Sequence, residues 1–183
     1  MDSNIRTSIS NLKSEDKNIR YEAFTKLFSM TENKVDWAYE VWDFLMDDLT
    51  HPNNHRRAIA SQLLANLAKS DPDKRMKEDF PKIFAVTKDE RFVTARHTLQ
   101  SVWKIGLVNN DYKSMVVQAL KNRFKECENE KNYTLIRYDI IVGLKKLYDV
   151  DKDETIKKLA LTLIDSEQDT KYQKKYAGVW KNV

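Results

Sequence analysis

The strongest constraint on this chain is a self-similarity that recurs along its whole length. Five segments can be laid under one another: NIRYEAFTKLFSM (18–30), NHRRAIASQLLANLAK (54–69), ERFVTARHTLQSVWKIG (90–106), NYTLIRYDIIVGLKKLY (132–148) and DTKYQKKYAGVWK (169–181). With Ala23, Ala60, Leu99, Ile140 and Ala177 taken as one column, the steps are 37, 39, 41 and 37 residues. A second column, Leu27, Leu64, Trp103 and Leu144, lies four residues further on, where an α-helix returns to the same face. A period of this length marks stacked units, none of which buries its apolar stripe alone.

Between these segments lie five further stretches with helical apolar rhythm. They hold Ile5, Ile9 and Leu12; VDWAYEVWDFLMDDL (35–49); Met76, Phe80, Ile83 and Phe84; Val116, Leu120, Phe124 and Cys127; and Ile156, Leu159, Ala160 and Leu163. Each unit is therefore an A helix, a short polar turn and a B helix. The approximate repeats are 1–31, 35–70, 72–107, 111–149 and 151–183, within one domain spanning 1–183. Asn18, Asn53 or Asn54, Asn132 and Asp169 are placed to cap B helices. Pro81 should kink or split the third A helix, because it removes a backbone donor.

Composition agrees with an all-α chain: 33% of the 183 residues are charged, and there are only three Gly and three Pro. No window approaches the ~18 apolar residues of a membrane span, and the N-terminus lacks a signal-peptide core. The expectation is a soluble, cytoplasmic protein that does not engage membranes. The single cysteine, Cys127, cannot form an internal disulfide or supply a zinc knuckle.

The pattern of a turn acid, an apolar-basic pair, then Ala and Leu down the B helix runs through Asp16, Ile19, Arg20, Ala23 and Leu27. It returns in part at Asn53, Arg57, Ala60 and Leu64, and again at Arg137, Ile140 and Leu144. The third repeat departs, since Arg96 fits one register and Val102-Ile105-Gly106 another. The chain thus resembles HEAT-like repeat proteins of the armadillo-type α-solenoid class. The resemblance implies a right-handed α-α superhelix of about five helix pairs, with B helices lining the concave side.

Charge divides by helix set. The five B segments hold 15 Lys or Arg against 4 Asp or Glu, and the remainder holds 17 against 24. The candidate ligand-binding residues are Arg20, Arg56, Arg57, Arg96, Arg137, Lys145, Lys174, Trp103 and Trp180, with Arg91, Lys104, Lys146, Lys171 and Lys175 beside them. Tyr21, Tyr138, Tyr172 and Tyr176 lie among them. Cations with aromatic faces between them suit a phosphate backbone and unstacked bases, so the leading expectation is a non-catalytic module that binds nucleic acid. A scaffold for an acidic protein partner is the alternative. In HEAT-like repeats the Arg20 column often bonds the turn acid of a neighbouring unit, so Arg57 and Arg137 are equally candidates for a structural ladder.

Catalytic motifs are scarce. Pro52 follows His51 directly, which removes the helical metal motif that His51 and His55 would need, so neither metal nor cofactor is expected. A weaker resemblance is to HEAT-like alkylpurine DNA glycosylases of the alkylation-repair type. It would make Asp139 the catalytic acid, with Arg137, Trp103 and Trp180 around it.

Overall fold

The computed structural model describes residues 2–181, and among them the chain forms ten α-helices and no strand. It divides into two compact units, Met1–Ser101 and Val102–Val183. The first contains α1 (Ser3–Asn11), α2 (Lys17–Met30), α3 (Ala38–Asp48), α4 (Asn54–Leu67), α5 (Met76–Ala85) and α6 (Phe92–Val102, whose last residue crosses the division). The second contains α7 (Asn110–Glu126), α8 (Tyr133–Asp151), α9 (Glu154–Asp165) and α10 (Thr170–Val179). Even-numbered helices are the B helices of the sequence repeat.

In the first unit the B helices start where a turn residue satisfies their orphan N–H groups. Asp16 accepts from the backbone N–H groups of Asn18 and Ile19, so the α2 cap lies two residues before the expected Asn18. Asn53 caps α4 by accepting from His55 N–H. Ala23, Leu27, Ala60, Leu64 and Leu99 are all buried, as one stripe per B helix requires. They pack with Trp37, Val41, Trp42 and Leu45 of the α3 region and with Met76, Phe80 and Ile83 of α5 among the buried apolar residues of this unit. α5 runs through Pro81 without splitting. The proline sits on the exposed side, and the burial of Met76, Phe80 and Ile83 holds the helix together across the missing donor.

Polar contacts join successive pairs of the first unit. Asn66 donates to Phe28 O at 3.2 Å and Thr31 Oγ1 at 3.1 Å, Ser61 Oγ lies 2.8 Å from Thr98 Oγ1, and Trp42 Nε1 donates to Asp79 at 2.8 Å.

In the second unit Ile140 and Leu144 are buried, but two column positions depart. Trp103 lies just past the end of α6 and is only half-buried, while Val102 and Ile105 take the core. On α10 Ala177 is exposed, and Tyr176 and Trp180, four apart, face inward instead. The register of the last B helix has moved by one residue, since two aromatic rings bury far more apolar area than an alanine. Tyr176 packs against Phe124, Tyr138 and Tyr172 and donates its hydroxyl to Thr134 O at 2.6 Å. At Gly106 a Cβ would come within 2.9 Å of Leu147 Cδ2, so a larger residue there would make the Leu147 side chain shift. Asn132, the expected cap of α8, takes a left-handed backbone with φ 65° and makes no side-chain cap bond. Asp169 caps α10 as expected, accepting from the N–H groups of Lys171 and Tyr172.

Candidate functional site

The arginines of the B helices are held within the fold. In the first unit the Arg20 guanidinium is buried and donates to Ser14 O at 2.6 Å, within its own turn. The corresponding turn residue of the next pair is Asn53, which carries no charge to receive it. Arg57 makes the inter-pair rung, donating through Nε and Nη2 to the two oxygens of Asp89 at 2.6 and 2.9 Å. Its Nη1 closes the preceding turn on His51 O and Pro52 O. The hydrogen bond to the Asp89 carboxylate raises the Arg57 pKa above its ordinary value despite burial. Burial alone would raise the Asp89 carboxyl, but the hydrogen bond from Arg57 and the backbone N–H of Arg91 bring it below its usual range.

Arg56 makes a second bidentate pair, to Asp48 at 2.9 and 2.5 Å, and its Nη1 lies 3.0 Å from His51 Nε2. The other ring nitrogen of His51 accepts from Asn53 N–H, so this histidine belongs to the turn. Arg96 is half-buried and lies over the Phe92 ring at 5.8 Å.

Three B helices of the first unit line a cleft of about 600 Å³. Its walls repeat the same helical positions. Lys17, Asn54 and Val93 are equivalent, as are Asn18, His55 and Thr94, and as are Tyr21, Ala58 and His97; each set is separated by the 37- and 39-residue steps of the core column. Phe24, Ile59 and Gln62 complete the floor, and Arg20 contributes its edge. Tyr21 and Val93 are 68% and 61% exposed, which is high for side chains of this kind, and no Asp or Glu lines the cleft.

Most of these residues stood outside the sequence candidates. The available signal was the repeat itself, read on the columns two, five and six positions before the core column instead of on charge.

In the second unit Arg137 is buried, donating to Glu167 Oε2 and to Phe124 O, each at 3.0 Å, with Phe124 and Tyr133 rings against its guanidinium. Desolvation works against its charge, but the Glu167 carboxylate more than compensates and the Arg137 pKa is raised. Lys145 is held by both oxygens of Asp149 at 2.6 Å. Trp180 is buried against Tyr148, with its indole N–H 3.4 Å from Ile141 O. Trp103 has the Lys146 ammonium 4.9 Å from its ring centroid. Asp139 is 3% exposed in the interior of α8, so a nucleotide would have to open the packing to reach it.

Lys174 is exposed, together with Lys171 and Lys175 on the same helix. The one-residue register change explains this. Three positions before the core residue, where Arg20, Arg57 and Arg137 stand, α10 has Gln173, whose side-chain amide lies 3.4 Å from Asp165 O. Lys174 is thereby displaced out of the ladder to the surface.

This arrangement of paired helices recurs in solved structures. A designed armadillo repeat protein in complex with the peptide (KR)4 superposes with a TM-score of 0.54 at 13% identity, covering 98% of this chain and 99% of the other. An engineered protein solved by the Northeast Structural Genomics Consortium gives 0.52 at 14% identity, covering 99% and 96%. The fold is therefore that of all-α armadillo-like helical repeats. The sequence itself matches no protein-family model and no curated protein. Among the described residues no helix is long and apolar enough to cross a membrane.

Proposed function

We propose that the protein is a non-catalytic binding module whose first unit holds an extended segment of a partner protein, apolar in its anchor side chains and acidic between them. The observation that carries this reading is the cleft lined by α2, α4 and α6. It offers exposed Tyr21 and Val93 with Phe24 and Ile59 for apolar anchors, and Asn18, Asn54 and Gln62 for a peptide backbone. Its basic groups are Lys17, Arg20, His55 and His97, and no carboxylate lines it, so charge complementarity selects an acidic partner. Burying one large apolar anchor there contributes about 1.5–3 kcal/mol, which a chain of bare charges would not gain.

The designed armadillo protein of similar fold is bound to a basic peptide; the cleft of this chain has the opposite preference. The nucleic-acid reading of the arginine-rich B helices has weaker support than the acidic-protein alternative, because Arg56, Arg57 and Arg137 are already paired with carboxylates within the fold.

Selection from a random peptide library tests the reading. Retained sequences should place aliphatic or aromatic residues among Asp and Glu, and Ile59→Glu should abolish retention while the helical circular dichroism spectrum is kept. Enrichment of basic sequences, or undiminished binding by Ile59→Glu, would overturn it.

A further inference from the structure

From α10 we infer a second, independent binding surface: Lys171, Lys174, Lys175 and Gly178 form a contact for the phosphate backbone of double-stranded nucleic acid. These residues fall at i, i+3, i+4 and i+7 and so share one helix face. All four are exposed, and no acid occurs between Thr170 and Val179. The two nearest carboxylates on the preceding turn are engaged, Glu167 by Arg137 and Asp169 by the N-terminus of the helix.

Gly178 supplies the second observation. Gly106 and Gly143 each have neighbours at contact distance from a would-be Cβ, whereas Gly178 has none within 4 Å among the described residues. Its backbone is not left-handed either, so it does no capping work. A glycine that neither packs nor turns leaves the helix surface bare beside three lysines, where a rigid anionic backbone can come close.

Charge density decides the class of ligand. The face formed by Lys171, Lys174, Lys175 and Gly178 carries no large apolar residue, so a polypeptide would find no apolar anchor on it. Duplex nucleic acid needs none, since it carries one charge per about 1.7 Å and gains affinity from counterion release alone. The stretch from Lys171 to Gly178 spans about 10 Å of helix, matching several such charges.

Base reading is not offered. The Lys175 ammonium lies 4.4 Å from the Tyr138 ring centroid and 5.6 Å from that of Tyr172, and Lys171 lies 6.0 Å from Tyr172, so these rings already carry cations. Lysines acting as point charges then contact phosphate without regard to sequence.

Fluorescence anisotropy with a labelled random-sequence DNA duplex provides the test. Wild-type protein should bind at about 50 mM salt, with log affinity falling against log salt at a slope of about 3, near 0.9 per lysine engaged. The triple variant K171Q/K174Q/K175Q should lose at least about tenfold in affinity, as removal of three phosphate contacts requires. K77Q/K82Q/K125Q, which removes three exposed lysines from A helices, should bind as wild type. Gly178→Glu should weaken binding most, and Gly178→Leu, which adds bulk without charge, should weaken it less. Absence of duplex binding, a triple variant as tight as wild type, or displacement of the duplex by poly-glutamate at equal charge concentration would overturn the inference. Ile59→Glu separates this surface from the cleft, because it should leave duplex binding intact.

Discussion

α4 and α10 are both B helices, both open on a polar cap, and both carry a cluster of cations, yet they use them in opposite ways. In α4, Arg56 and Arg57 turn back to Asp48 and Asp89, and each forms two hydrogen bonds to a carboxylate. In α10, Lys171, Lys174 and Lys175 face outward while the nearby carboxylates serve other groups. The side chains themselves contribute to the difference, since a planar guanidinium fits a carboxylate in two-point contact and an ammonium does not. Counting basic residues per helix therefore measures two quantities at once: bracing in α4 and available surface charge in α10.

The contrast can be broken most sharply at the buried pair of α8. Arg137→Met leaves Glu167, whose side chain is fully buried, without its counter-charge, and should cost about 3–5 kcal/mol in urea unfolding. A loss below about 1 kcal/mol would place Arg137 with the surface cations instead.

Next in size is Asp89→Asn, which should cost about 2 kcal/mol near neutral pH, the pair being partly open to solvent. Its pH dependence fixes the cause. The native Asp89 carboxyl is held below its ordinary value, so its contribution is complete above the unfolded pKa near about 4 and is lost as pH falls through the lower native value. The stability gap between wild type and Asp89→Asn should accordingly close in acid. A gap that stays constant down to acid unfolding would mean that the rung works by packing alone.

The smallest effect belongs to α10. Gly178→Ala should stabilise the protein by up to about 1 kcal/mol, as expected for a glycine with no structural duty in a helix. A destabilised variant would show a packing role for that position.

Much of the architecture was legible because helical periodicity and the 37- to 41-residue steps are local properties of the chain. The A and B helices fall where Ala23, Ala60, Leu99 and Ile140 placed them. Boundaries were less legible at Asn18, Asn132 and Pro81, where capping and core burial chose among alternatives that the sequence leaves nearly equal in energy.

The binding surfaces were least legible of all. Whether an arginine is available depends on an acceptor about thirty residues away, as with Arg57 and Asp89, and composition does not encode that pairing. Lys174 looked equivalent to Arg57 only while Ala177 was taken as the core residue; the burial of Tyr176 and Trp180 moved it to the surface. The cleft of the first unit stayed hidden because attention to charge passed over Ile59 and Val93 and took Tyr21 only as an aromatic beside the cations, whereas all three line the cleft.

The polar contacts between pairs of the first unit also bear on how that unit folds. Ser61 meets Thr98 across 37 positions, Asn66 meets Phe28 across 38, and Arg57 meets Asp89 across 32, so each pair grips the next one along the chain. Ordering can then begin at any pair and zip outward in either direction, without waiting for distant ends to meet. Under stress the same wiring favours fraying from an end over all-or-none collapse, and amide exchange should slow progressively from the edge of the unit toward its middle pair.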